Sequence, residues 1–221
     1  IVEVIRSKRR KTLALAVRHA TVTIRMPDKL PLRHAEKFVV QKTSWIKKKL
    51  ASQSPPLQRR FCSGETLPYL GSSLSLDILP AAKNTLVFED DGSLLVKCRT
   101  RSPTRASLSR QISNWYRQQA EDYLTSRCRK LAGQTGLTPR SVTVKGYKAR
   151  WGSCHINGDI QLNWKLMMAP PAIIDYGIIH ELCHLQQHNH SAAFWKLVSF
   201  FDPNFTQHRA WLKTNGQQLE L

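Results

Sequence analysis

The sequence lacks the features that mark a membrane or secreted protein. Its 221 residues contain no run of about 18 uncharged apolar residues, the length that a membrane-spanning helix needs. The opening stretch, IVEVIRSKRRKTLALAV, has no long apolar segment followed by a small-residue cleavage site. We therefore expect a folded cytoplasmic protein without a membrane partner. The first residue is Ile1 rather than methionine, which leaves a lost upstream signal open.

Cysteine pairs and phosphate-binding loops are also absent. The five cysteines are odd in number and contain no C-x-x-C pair, the pattern of a zinc knuckle or a redox motif. Free thiols in a reducing compartment are the expected state. No G-x-x-x-x-G-K-[ST] loop is present, so a bound phosphate would have to be held by Arg and Lys side chains.

Acidic residues are scarce: 15 Asp and Glu stand against 34 Lys and Arg, a net charge of +19. Residues 1–60 carry a net +13 and residues 101–150 a net +9, whereas residues 61–100 and 151–221 are nearly neutral. A field of this sign favours polyanionic partners such as nucleic acid, nucleotides or acidic proteins. A solvated basic surface that keeps the protein soluble explains the same charge equally well.

Hydrophobic periodicity predicts a strand-rich region with one helix over residues 1–100. The runs VEVIRS, TLALAV and TVTIRMP alternate like the strands of a small antiparallel sheet, and residues 32–50 change to helical spacing. Four more strand candidates follow, with Asp91-Gly92 as a hairpin turn between the last two.

A second region, residues 101–221, is predicted to be richer in helix. Residues 103–132 have the spacing of a long helix, and the strand candidates SVTVKGY and GDIQLNWKL follow it. Pro170-Pro171 suits the first turn of the next helix, and Ser191 can cap a further helix, AAFWKLVSFF. The two regions together predict an α+β fold.

The stretch HELCHLQQHNH, residues 180–190, carries the chemistry. His180 and His184 are four residues apart, so on a helix their rings share a face and can reach one ion. With Glu181 they form H-E-x-x-H, in which the histidines bind zinc and the glutamate is the general base for a zinc-bound water. A chance match in a shuffled chain of this composition has a probability of about 1%, so a plain surface helix is disfavoured.

A catalytic zinc needs a third protein ligand and one open position. His188 continues the helical series, but it would lie about 12 Å from His180 along a helix axis. His190 can serve if the helix ends first, and Asn189 tolerates the left-handed conformation that often ends helices. We therefore favour one zinc ion on His180, His184 and His190, with His188 as an exposed or substrate-side residue.

Several segments are informative in combination: RWGSC, IQLNWKL, IDYGIIHELCHL and NHSAAFWKLV, with RSKRRKTLALAV and GETLPYLG nearer the N-terminus. Together they resemble one family, the YgjP-like metallopeptidase-domain proteins, which are relatives of the SprT and WLM groups. The resemblance covers nearly the whole chain. It implies a zincin-like α+β core, zinc on His180, His184 and His190, and Glu181 as the catalytic base. It leaves the substrate open, because some members are described as nucleotide pyrophosphohydrolases.

The function that we expect is that of a zinc-dependent hydrolase, foremost a metallopeptidase, with Glu181 accepting the proton of the attacking water. A developing oxyanion needs another donor, and Arg150 in RWGSC is the first candidate, ahead of Tyr147 and Lys148. A structural ion pair between Arg150 and a carboxylate such as Asp175 explains this arginine equally well.

Substrate contacts and two other functions follow from the same residues. GDIQLNW is the predicted edge strand that would hold an extended substrate, with Asn163 orienting a ligand or the substrate. A nucleoside triphosphate pyrophosphohydrolase with the same metal centre is the first alternative. A nucleic-acid-binding protein with a structural zinc is the second, although structural sites usually have four protein ligands and Glu181 would then have no purpose.

Overall fold

The computed structural model divides the chain into two compact units, Ile1–Leu57 and Gln58–Leu221. This division differs from the expected boundary at residue 100, because the strands before that residue belong to the larger unit. Their buried Leu67 and Leu94 share one hydrophobic core with the long helix that follows. The structure describes residues 2–18, 21–51, 59–89, 92–100 and 102–221.

The smaller unit contains β1 (Val2–Ser7), β2 (Ala14–Arg18), β3 (Thr21–Pro27), α1 (Leu32–Gln41) and α2 (Thr43–Ala51). The strand order is β1-β3-β2, and β3 buries alternate side chains. Val22 packs with Ile46 of α2, and Ile24 and Met26 pack with Ala35 of α1. The prediction of an antiparallel sheet is wrong for β1, which runs parallel to β3, because β1 and β2 pair with opposite edges of β3.

The larger unit begins with β4 (Thr66–Tyr69), β5 (Ser72–Pro80), β6 (Thr85–Phe88), β7 (Ser93–Cys98) and α3 (Arg105–Thr135). The strands lie in the order β4-β5-β7-β6. Asp91, the first residue of the predicted hairpin turn, lies outside the described residues. α3 begins after Thr104, whose side-chain oxygen accepts a hydrogen bond from the Ser107 N–H, and ends at Gly136 in the left-handed conformation. The helix thus continues three residues past the predicted end at residue 132.

The rest of the larger unit contains β8 (Ser141–Lys145), β9 (Gly152–Cys154), β10 (Asp159–Asn163), α4 (Pro171–Cys183), α5 (Ala192–Phe201) and α6 (Phe205–Asn215). A 3₁₀ segment, Trp164–Met168, joins β10 to α4. β10 is the central strand of its sheet, parallel to β8 and antiparallel to β9. The prediction that GDIQLNW forms an edge strand is therefore wrong, because β10 is paired on both sides, and β9 is the edge strand beside it.

Mixed helices and strands confirm the α+β class, whereas the zincin-like core stays a prediction. Within the described segments, none of the helices has the combination of length and hydrophobicity that crossing a lipid bilayer requires.

Candidate metal centre

α4 carries the first two histidines and ends sooner than expected. Pro171 occupies its first turn, where the missing N–H costs no helical hydrogen bond, and Ile174, Ile178 and Leu182 are fully buried along one side. The helix ends at Cys183, not near Asn189 as predicted. In the next turn the N–H groups of Leu185 and Gln186 bond carbonyl oxygens only three residues back, which tightens the chain and ends the helix.

His190 reaches the same place because the chain turns after α4. The Ser191 side chain accepts a hydrogen bond from the Phe194 N–H and caps α5, as predicted. The Asn189 side chain accepts the Ser191 N–H at 3.2 Å. Asn189 does not adopt the left-handed conformation that was expected of it, since positive φ at non-glycine positions occurs among the described residues only at Phe61 and Leu70.

Three histidines, His180, His184 and His190, offer ligand atoms that all lie within 4.8 Å of one another. The Nε2 atoms of His180 and His190 are 3.0 Å apart. On a tetrahedral zinc ion, with bonds of about 2.0–2.1 Å, ligand nitrogens lie about 3.3 Å from each other. His188 is exposed and outside this group, although it borders the same cleft. The spacing of the three rings is compatible with one metal ion.

Protonation states in the group also suit a metal. The Nδ1 atom of His184 lies 2.9 Å from the Gln187 carbonyl oxygen, which can only accept, so Nδ1 carries the hydrogen and Nε2 keeps its lone pair. Burial, and then the neighbouring His184 and His190, lower the pKa of His180 to about 3. The His180 ring is therefore neutral near pH 7, which is the form that binds metals.

Glu181 lies beside this group and is almost fully buried, with 6% of its surface exposed. Burial raises the pKa of Glu181 to about 8, and the positive charge of Arg150 acts in the opposite direction. The backbone of β9 passes directly against the carboxylate. A Cβ atom added to Gly152 would lie 2.6 Å from both Cγ and Oε1 of Glu181, which is closer than any ordinary contact.

Gly152 is the functional position that sequence reasoning missed. It lies between Trp151 and Ser153 in RWGSC, the segment that also contains Arg150. A glycine inside a strand often marks a close approach of another group, and that signal was available. Here it shows where the backbone must leave room for Glu181.

Arg150 borders the cleft that Glu181 faces, and its guanidinium lies over the Tyr147 ring, 5.1 Å from the ring centroid. The alternative ion pair with Asp175 is wrong, because Arg127 holds both carboxylate oxygens of Asp175 at 2.6 and 2.5 Å. The Tyr147 hydroxyl donates to the Gln161 side chain instead of facing the cleft. Arg150 is thus the one of the three predicted donors that borders the cleft.

Asn163 holds the loop that carries Arg150. Its side-chain amide donates to the carbonyl oxygens of Tyr147 at 3.1 Å and Arg150 at 2.9 Å, and its side-chain oxygen accepts the Lys165 N–H at 3.2 Å. The residue is 2% exposed and does not border the cleft. Asn163 therefore positions a loop and does not orient a ligand.

A cleft of about 740 Å³ opens over these groups. One part of its wall is β9, and another is formed by Arg209, Leu212 and Lys213 of α6. The histidines and Glu181 are reached from this cleft. The arrangement can bind a metal ion, hold a proton on Glu181 and admit an extended substrate.

A family model described as "YgjP-like, metallopeptidase domain" matches residues 11–215. No curated protein matches the chain significantly. Among solved structures, the chain is similar to the crystal structure of the metallopeptidase zymogen of Pyrococcus abyssi abylysin, with 21% identity and a TM-score of 0.36 over 41% of this chain and 93% of that chain.

Proposed function

The chain belongs to the YgjP-like metallopeptidase-domain family, and on that premise we propose that it is a zinc-dependent peptidase. Membership of this family supports a metal-dependent hydrolase, and the three histidines with Glu181 support the assignment as a zinc peptidase. The observation that carries the proposal is the set of three histidine ligand atoms within 4.8 Å of one another, next to a buried glutamate and under an open cleft. A purely structural zinc site would have no use for that glutamate.

His180, His184 and His190 would hold the ion, and the cleft would leave its remaining position open to substrate. When bound, the ion would activate a water molecule, polarise the scissile carbonyl and, by its charge, favour the carboxylate form of Glu181.

The chain's own groups supply the other parts of the reaction. Glu181 accepts the proton of the attacking water and passes it to the amine that leaves. Arg150 donates hydrogen bonds to the oxygen on which negative charge develops. The β9 backbone offers N–H and C=O groups for pairing with an extended peptide, the role first predicted for β10.

The decisive experiment combines metal analysis with a peptide assay. Purified protein should contain about one zinc per chain, and Glu181→Gln should keep that zinc while losing at least about 100-fold in kcat/KM. Glu121→Gln, a change at an exposed residue of α3, is the matched control and should leave both values unchanged. Full activity in Glu181→Gln, or protein that binds no metal, would sink the proposal.

A nucleoside triphosphate pyrophosphohydrolase is the second candidate, and one observation favours it. Arg150, Arg209 and Lys213 all border the cleft, and phosphate oxygens bind to such side chains. The same protein should therefore be assayed with nucleoside triphosphates in parallel. Pyrophosphate release that depends on Glu181, without cleavage of any peptide, would replace the first candidate by the second.

A further inference from the structure

The α6 wall of the cleft carries two cations on one helix face. Arg209 and Lys213 are four residues apart, so they lie one above the other on the helix, and both border the cleft. The Arg209 guanidinium is stacked over the Trp195 ring, with Cζ 4.4 Å from the ring centroid. Trp195 in turn stacks on Phe205 at 5.6 Å. The guanidinium is thereby held in place without a carboxylate.

No acidic side chain among the described residues forms an ion pair with either cation. The ion pairs found within 4.0 Å among the described residues include neither Arg209 nor Lys213. Asp202, the acidic residue at the end of α5, is already engaged, with one carboxylate oxygen 2.8 Å from His208 Nδ1 and the other accepting the Asn204 N–H. Both cations on this wall therefore remain without an ion-pair partner among the described residues.

The cleft as a whole has an excess of positive charge. Of the described residues that border it, Glu181 is the one acidic side chain, against Arg150, Arg209 and Lys213. Clefts of one sign concentrate ligands of the other sign, and a guanidinium matches a carboxylate with two parallel hydrogen bonds. Glu181 lies against β9, on the side of the cleft that this strand forms. Arg209 and Lys213 lie on the side that α6 forms.

We propose that Arg209 and Lys213 form a subsite for a carboxylate of the peptide substrate. The inference rests on the proposed peptidase function. A peptide chain that pairs with β9 directs alternate side chains away from the strand, and α6 is another wall of the same cleft. The carboxylate belongs either to an Asp or Glu side chain near the scissile bond or to the C-terminus of a short peptide. Both sources present the same planar anion.

The test is a matched set of peptides assayed with the zinc-loaded protein. One set carries Glu, Gln or Lys at each position around the cleaved bond, and a second compares free with amidated C-termini. The wild-type protein should cleave the best acidic or free-carboxylate peptide about 10- to 100-fold better in kcat/KM than its neutral partner. The set in which the preference appears identifies the source of the carboxylate.

Variants separate the subsite from general damage. Lys213→Gln and Arg209→Gln should remove the preference, so that the acidic and the neutral peptide are cleaved with kcat/KM values within about threefold of each other. The double variant Arg209→Glu/Lys213→Glu should invert the preference towards Lys peptides, which a folding defect cannot do. Lys196→Gln, an exposed change on α5 away from the cleft, is the matched control and should keep the wild-type preference.

Two negative outcomes are distinct. Cleavage of peptides without any charge preference overturns the subsite and leaves the peptidase intact. If the zinc-loaded protein cleaves none of the peptides, the proposed function fails and the subsite fails with it.

Discussion

The two units of the chain differ in where charge and chemistry lie. The smaller unit has 14 Lys and Arg against 3 acidic residues in 57 positions, and it buries only small clusters of side chains between its sheet and helices. The larger unit has one extensive core, and it is also the unit that contains the three histidines and Glu181. The larger unit also keeps a net charge of +8, with 20 Lys and Arg against 12 acidic residues, so the contrast is one of charge density. Mutations in the smaller unit can lower the charge of the chain without touching the candidate catalytic groups.

The largest effect should come from the third histidine. His190→Ala removes a proposed ligand and should weaken zinc binding by more than about 100-fold, since loss of a mere outer-shell partner already costs 10- to 100-fold. Peptide cleavage should disappear with the metal. His188→Ala is the matched control two residues away and should retain one zinc per chain, as measured by elemental analysis. If His188→Ala lost the metal and His190→Ala kept it, His188 and not His190 would be the third ligand.

Gly152→Ala should separate catalysis from metal binding within the larger unit. The added methyl group would stand 2.6 Å from the Glu181 carboxylate and displace it, and a shift of about 1 Å in a catalytic group costs about 100-fold in rate. Zinc content should stay unchanged. Gly133→Ala in α3 is the control, because its Cβ would meet nothing within 4 Å and alanine favours a helix. Equal activity in the two variants would contradict the contact between β9 and Glu181.

Asn163→Ala should lower stability more than its size suggests. The change removes a buried amide and leaves the part-buried carbonyl groups of Tyr147 and Arg150 without their donor, which costs about 2 kcal/mol in the free energy of unfolding. Urea denaturation measures this loss. Asn114→Ala, on the exposed face of α3, should change that free energy by less than about 0.5 kcal/mol. A difference near zero between the two would show that the amide does not hold the loop.

The smallest effect on catalysis is expected from the basic turn of the smaller unit. If this unit binds a polyanion, replacing the exposed Lys8, Arg9 and Lys11 by Gln should reduce the salt slope of nucleic-acid binding by up to about 3. Arg6 is not a suitable target, because its guanidinium bonds the carbonyl oxygens of Asp28 and Leu30. Peptide cleavage should be unaffected. An unchanged salt slope would remove the polyanion role from this turn.

Features that depend on near neighbours could be predicted from the sequence. The four-residue spacing of His180 and His184, the cap at Ser191 and the preference for His190 over His188 all use local geometry. The separation of about 12 Å between His180 and His188 nevertheless applies only to a helix that continues past His188. The helix ends at Cys183, in the turn where the His184 ring bonds the Gln187 carbonyl, and such a side-chain contact leaves no periodic signal.

Features that depend on distant pairing could not be predicted. β9 has only three residues, too few for an alternation pattern, so the edge of its sheet was assigned to β10. The parallel pairing of β1 with β3 and the division at Leu57 are set by which strands and helices share a core. The contact between Gly152 and Glu181 joins residues on two different elements, and the sequence shows only the glycine.

The short length of β9 limits which polypeptides could pair with it. Three residues of strand span about 10 Å, enough to pair with only a short piece of another backbone. That piece must have its own N–H and C=O groups free, whereas a folded protein has nearly all of them engaged. If peptides pair with this strand, the folding state of a substrate decides first whether it can bind, and its side chains decide only afterwards. Folded proteins would then not be cleaved, whereas unfolded or nascent segments would be.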